Sequence, residues 1–275
     1  MQSKYGFEFT KKHAELHKKV ERIFPTRGVI AFHPMDILAC DLVDYSKIPR
    51  NGFHYILNCV DVFSRKAESS TLRSKSSKDI QKGFDDVIRR FGKTPKKIWF
   101  DHEGGIISGD TKKFLADRHI ELYHSFGFVK VSIVERFNRT QKSVLYRYEM
   151  ADARHKWTDF IHQFTEKYNE TKHSSLGMTP NDAFTTKEKE ALEVNLRNYY
   201  KVRDNKPVLK VGDRVRIISK SGKFDKGYVE KWSRVIYNIQ KVSPTNPLTY
   251  IVADDEGNAW QGRYYAQELQ LVAQE

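Results

Sequence analysis

Cysteine is scarce in this 275-residue chain: Cys40 and Cys59 are the only two, 19 positions apart and without a CxxC pair. That excludes a disulfide framework and a self-contained zinc finger, and it fits a reducing compartment with both thiols as core filler. No stretch approaches the roughly 20 continuous apolar residues of a membrane span, and Met1-Gln2-Ser3-Lys4-Tyr5 lacks the apolar core of a signal peptide. Secretion and a membrane partner are therefore not expected. Internal repeats and low-complexity tracts are also missing. Acidic groups are outnumbered, 35 against 48 lysines and arginines, for a net charge of +13. Such a balance points to a polyanionic partner, nucleic acid first. Hydrophobic residues at 39% and aromatics at 13% still suffice for a real core.

Residues 1–34 read as a basic helical arm, with Phe9, Leu16, Val20 and Ile23 on one long amphipathic pattern that ends at Pro25. The apolar runs at Ile37–Cys40 and Tyr55–Val60, split by Pro49-Arg50-Asn51-Gly52, predict a β-hairpin. A helix is expected over Ser77–Phe91, a short buried strand at Lys97–Phe100, a short helix over Thr111–Arg118 and a further strand at Ile120–Tyr123. Val134, Phe137, Val144, Leu145 and Tyr148 repeat at helical spacing, and another helix spans Trp157 to Asn169 before a Gly177/Pro180 loop. Interleaved strands and helices of this kind predict an α/β domain with a mixed sheet over residues 35–185. Residues 186–206 read as a helical or extended linker, and 207–275 as a small β-barrel built from short alternating runs.

Much of the positive charge is local. Between Arg197 and Lys241 there are thirteen basic and four acidic residues, net +9, interleaved with Phe224, Tyr228 and Trp232. Cations beside flat aromatic faces suit a nucleic-acid groove whose contacts are to phosphate, and so are salt-sensitive and largely blind to base sequence.

Three carboxylates occupy telling positions. Asp41 follows the apolar run Ile37–Cys40, Asp101 follows Ile98-Trp99-Phe100, and Glu135 opens the long helix. Strand ends and helix starts converge on one edge of an α/β sheet, so the three can meet around a metal. Oxygen donors without clustered histidine or cysteine select Mg²⁺ or Mn²⁺ over zinc. Two such ions can activate an attacking oxygen and stabilise a leaving oxygen at a phosphodiester. Taken singly, each carboxylate could equally cap a helix or end a strand.

Their order and context decide between those readings. Asp41-Leu42-Val43-Asp44, Asp61-Val62-Phe63-Ser64-Arg65, Trp99-Phe100-Asp101 and Val134-Glu135-Arg136-Phe137-Asn138-Arg139-Thr140, with 33 residues between Asp101 and Glu135, resemble the catalytic core of retroviral-type integrases. Phe24-Pro25-Thr26-Arg27, the Lys130–Thr140 segment and Tyr168–Pro180 look most like integrases of Maverick/Polinton transposons and virophages. Val211–Arg216, Phe224–Tyr228 and Trp232-Ser233 resemble the SH3-like DNA-binding barrel that follows the core in related integrases.

The resemblance implies a ribonuclease H-like core with a mixed five-stranded sheet, a C-terminal all-β SH3-like barrel and an N-terminal helical arm. It further implies a DDE recombinase that trims the 3′ ends of mobile-element or viral DNA and joins them to target DNA by direct transesterification. Asp41, Asp101 and Glu135 would then be the catalytic metal ligands for Mg²⁺ or Mn²⁺, two ions in all. Asn138, Arg139 and Lys142 would contact DNA beside them, and Arg214, Arg216, Lys223, Lys226 and Trp232 would contact it from the barrel. Asp44, on the opposite strand face, and Asp61, a structural aspartate in relatives, are set aside, as is the loop residue Asp36. The partners implied are double-stranded DNA and further copies of the chain, as a dimer or tetramer, in the host nucleus or a virion.

Three departures from the pattern stand out. After Asp101, the run His102-Glu103-Gly104-Gly105-Ile106 shifts the usual glycine and loses the aromatic; His13 and His17 have no cysteine partners, so no zinc is expected; and no chromodomain is expected after the barrel. Two alternatives belong to other classes, a domesticated, catalytically silent DNA-binding protein and a ribonuclease H-like nuclease.

Overall fold

The protein is described here by a computed structural model, which covers residues 10–21, 24, 29–100, 108–124, 132–152, 154–199, 208–219, 230–260 and 262–272. The chain divides into two compact units, one of Val29–Lys201 and one of Met1–Gly28 together with Val202–Glu275.

The larger unit holds a five-stranded sheet. Strands β1 (Ile37–Asp44), β2 (Tyr55–Asp61) and β3 (Ala67–Leu72) form an antiparallel meander, while β4 (Lys97–Phe100) and β5 (Glu121–His124) run parallel to β1, in the order β3-β2-β1-β4-β5. Side chains alternate across β1 with the strand period of two. Leu38 and Cys40 join Leu57, Cys59 and Leu72 in the core under α2 (Ser77–Phe91), which contributes Ile80, Phe84, Val87 and Phe91. Ala39 and Val43 face the other way. There Val60 and Trp99 pack with Val134 and Phe137 of α4 (Ser132–Ala151) and Phe164 of α5 (Trp157–Glu170), while Val43 and Ile56 meet Leu145 and Trp157.

Capping explains the limits of α2. Ser76 accepts a hydrogen bond from the Asp79 amide at the start, and Gly92 ends the helix in the left-handed region, at φ 69°, where a side chain would be strained. A short helix, α3 (Gly109–Ala116), precedes β5. The Gly177/Pro180 region also contains α6 (Pro180–Thr185), with Pro180 in its first turn and Thr179 as its cap.

Two expectations about organisation change. Much of the proposed linker is α7 (Glu188–Tyr199), which belongs to the larger unit: Ala191 is buried, and Asn195 Nδ2 donates to the Phe63 carbonyl at 3.0 Å. The arm is not one long helix either, since α1 covers only Lys11–Leu16. The carbonyls that would continue it are taken elsewhere, Leu16 O by the Lys231 amide at 2.9 Å and Lys18 O by Trp232 Nε1 at 3.1 Å. Phe9 and Ile23 lie outside the described residues.

The smaller unit carries an antiparallel four-stranded sheet, β8-β7-β6-β9, from β6 (Arg214–Ile217), β7 (Tyr237–Ser243), β8 (Thr249–Ala253) and β9 (Leu269–Leu271). Val215, Tyr237, Ile239, Tyr250, Val252 and Leu269 form its core. Glu15, Leu16 and Phe24 complete it from the N-terminal side: the Glu15 carbonyl accepts from Gln270 Nε2 at 3.1 Å, and the Phe24 ring lies 5.6 Å from that of Tyr265.

Candidate active site

Strand parity sets the site. Asp41 shares its face of β1 with Ala39 and Val43, and therefore looks toward α4. Its Oδ1 accepts from the Leu42 amide at 2.9 Å, and its Oδ2 accepts from Asn138 Nδ2 at 2.6 Å. Glu135 lies in the first turn of α4, three positions before Asn138 and so on a neighbouring strip of the same helix. One hydrogen bond thus ties the helix that carries Glu135 to the strand that carries Asp41. The third expected carboxylate, Asp101, lies outside the described residues. It follows Phe100, whose register partner on β1 is Cys40, the residue before Asp41.

Asn138 is itself held from behind. Asn58, fully buried on β2 and in register with Asp41, donates through Nδ2 to Asn138 Oδ1 and to Gln141 Oε1, both at 2.7 Å. Its Oδ1 accepts from Ser69 Oγ at 2.7 Å and from Gln141 Nε2 at 3.2 Å, while Thr165 Oγ1 donates to Ser69 Oγ at 3.4 Å. Two amides with opposed donors and acceptors can satisfy each other fully in a dry interior, and a network so satisfied rigidifies what it holds. Sequence reading did not single out Asn58 or Gln141. The available signal was an asparagine inside the otherwise apolar Tyr55–Val60 run.

The expected DNA-contacting residues separate into groups. Arg139 and Lys142 are exposed on α4, and Arg214 is exposed on β6. Asn138 is a correction: it is buried and turned inward on Asp41, not outward toward a phosphate. Arg216 is a second, 3% exposed, with Nη1 donating to the carbonyls of Ser233 at 3.0 Å and Arg234 at 2.9 Å and Nε 3.9 Å from Glu15 Oε2. Trp232 is a third, buried with its indole nitrogen on Lys18 O. Both residues lie beneath the N-terminal segment, which covers the sheet face that strand alternation alone would leave open. Lys223 and Lys226 lie outside the described residues.

The remaining aspartates have other duties. Asp61 is fully buried and accepts from the Met35 amide at 2.9 Å, the Ser64 amide at 2.9 Å and Ser64 Oγ at 2.6 Å; burial pushes its carboxyl above the usual range despite these bonds. Asp44 is exposed, with Lys75 Nζ at 3.4 Å. Asp36 caps the amides of Phe32 and His33 and pairs with Lys96 at 2.7 Å.

Asp41 and Glu135 offer oxygen donors only, a set that fits a hard divalent cation and not zinc. Among the described residues no cluster of three or more potential metal ligands occurs, and no helix is long and apolar enough to cross a membrane.

Residues 32–126 match the family described as the integrase core domain. The chain is 28% identical over 214 residues to a transposon-derived protein of Caenorhabditis elegans, covering 76% of this chain and 70% of that one. It is 26% identical over 173 residues to the retrovirus-related Pol polyprotein from transposon opus of Drosophila melanogaster, covering 62% of this chain but 16% of that one. Among solved structures, it superposes with a TM-score of 0.66 and 14% identity on a chain of the simian T-cell lymphotropic virus intasome in complex with PP2A regulatory subunit B56 gamma, covering 93% of this chain and 84% of that one. The family match spans all five strands of the larger unit's sheet, and the superposition shows a shared fold.

Proposed function

We propose that this protein is a DNA integrase that trims the 3′ ends of a mobile element's or virus's DNA and joins them to target DNA. The observation that carries the reading is the Asn138–Asp41 hydrogen bond, which brings the helix turn bearing Glu135 to the strand edge bearing Asp41. In this reading Asp41, Asp101 and Glu135 hold one or two Mg²⁺ or Mn²⁺ ions, which supply Lewis-acid activation of the attacking and leaving oxygens. The chain's own part is positioning. Asn138 fixes the Asp41 carboxylate through a hydrogen bond to one oxygen, while the Leu42 amide holds the other. Arg139 and Lys142 extend cationic groups from the exposed flank of α4 and seat the DNA backbone by charge-assisted contacts.

The second unit serves, in the same proposal, as an SH3-like DNA-binding barrel, with Arg214, Lys223 and Lys226 contributing sequence-blind phosphate contacts. The enzyme works, in this proposal, as a dimer or tetramer that brings two DNA ends together in the host nucleus or a virion, and its motifs resemble those of Maverick/Polinton and virophage integrases. Purified protein with labelled element ends, Mg²⁺ and a plasmid target tests the proposal. Asp101→Asn and Glu135→Gln should each abolish strand joining while DNA binding persists. Undiminished joining by either variant rejects it.

A further inference from the structure

The opposite flank of α4 closes over a cavity of about 60 Å³ between Arg65, Arg136, Thr140, Tyr168 and His173, with Phe137 forming apolar wall. Arg65 sits in the turn between β2 and β3 at φ 65°, a left-handed conformation that costs a non-glycine residue energy and persists where the surroundings enforce it. Its amide donates to the Asp61 carbonyl at 2.9 Å, and its Nη1 is anchored on the Val62 carbonyl. Tyr168 stands edge-on to Phe137, with ring centroids 4.8 Å apart, and His173 is braced by Ser175 Oγ at 3.0 Å. The lining is thus prearranged.

The charges in this cavity are unbalanced. Burial, and then Arg136, lower the pKa of the Arg65 guanidinium, while burial followed by Arg65 and Arg136 lower that of the His173 imidazole. Tyr168 is pushed up to about 12 by burial, so its hydroxyl is a donor. Asp61 attracts Arg65, but its oxygens already accept from Met35 and Ser64. Among the described residues neither arginine forms an ion pair. Two guanidinium groups with a phenol and an imidazole around so small a space suit a tetrahedral oxyanion, because planar N–H forks pair with phosphate oxygens better than any neutral donor.

We propose that this cavity is a phosphate-binding pocket that takes one backbone phosphate of the DNA strand being processed. Arg136 follows Glu135 directly on α4, about 100° further around the axis, so the pocket and the carboxylate lie on different flanks of the start of one helix. Assigning DNA as the source rests on the proposed function; the pocket's affinity for phosphate does not. The same chemistry would suit a small polyphosphate, and the experiment separates the two.

The test is titration of the full chain with inorganic phosphate against chloride at matched ionic strength, read by calorimetry and thermal shift. Wild type should bind phosphate saturably. Arg136→Gln, at an exposed position that should tolerate the change, should weaken binding by about tenfold or more, the loss of one charge-assisted contact. Arg147→Gln, elsewhere on α4, should leave it unchanged, and so should Glu135→Gln, which separates this test from the strand-joining assay. No saturable binding above chloride, or equal binding by Arg136→Gln, overturns the pocket. A short single-stranded oligonucleotide should displace phosphate. If inositol hexakisphosphate binds through Arg136 and the oligonucleotide does not compete, the DNA assignment is overturned.

Discussion

Replacing Asn58 by alanine probes the amide network behind Asp41. The change leaves Asn138 Oδ1 and Gln141 Oε1 without the donor they share and removes the acceptor of the Ser69 hydroxyl. Each buried polar group left unsatisfied costs roughly 1–3 kcal/mol, so two carbonyls give about 2–6 kcal/mol. An expectation within that range, about 3 kcal/mol, is about 6–12 °C in Tm for a unit of this size. Because the chain folds as two units, a single global transition is a poor readout. Hydrogen exchange of the β2 and α4 amides reports the loss locally. A double-mutant cycle with Gln141→Leu should show a coupling of about 1 kcal/mol or more, since the two amides share partners. Exchange within about 0.5 kcal/mol of wild type, or strictly additive losses, would refute the claim that Asn58 anchors Asn138 and through it Asp41.

The remaining expectations concern packing and surface charge. Gly83→Ala places a Cβ 2.7 Å from Leu72 Cδ2 and 3.1 Å from Leu57 Cδ2. Overpacking of about 1–3 kcal/mol should outweigh the roughly 1 kcal/mol gain in helix propensity, and a measured stabilisation in urea unfolding would show that Leu72 moves aside freely. Arg214→Gln should reduce the slope of log affinity against log salt by about one without altering stability. Arg216→Ala should instead destabilise the smaller unit by about 3 kcal/mol through the loss of its bonds to two carbonyls, and equal salt-slope changes for the two variants with unaltered unfolding would contradict the burial of Arg216.

The parts that were legible in sequence are those governed by local periodicity. The α2 span follows from helical periodicity, and β4 from a short apolar run that ends at Asp101. β3 gave little signal because Ala67-Glu68-Ser69-Ser70-Thr71-Leu72 is polar, although Ser69 is buried by the network it serves. For helix α7 the charge and the few buried positions left helical and extended forms open. At the site, Asp41 and Glu135 could be nominated from their places at a strand and at a helix start. The inward turn of Asn138 could not, because helical spacing places it within a strip and only the packing against Asn58 shows which side is covered. Arg216 was misread for the related reason that strand alternation cannot show what lies on the second face.

The pairing of Glu15, Leu16 and Lys18 with residues 214 to 255 positions away in sequence also orders events during synthesis. These early residues have no partners to settle on until the ribosome has made the whole larger unit and most of the smaller unit's sheet. The larger unit, contiguous in sequence, can close over its own core first. The smaller one must wait for strand β9 and bear the entropy of joining ends separated by a folded insert, so it should mature after the larger unit.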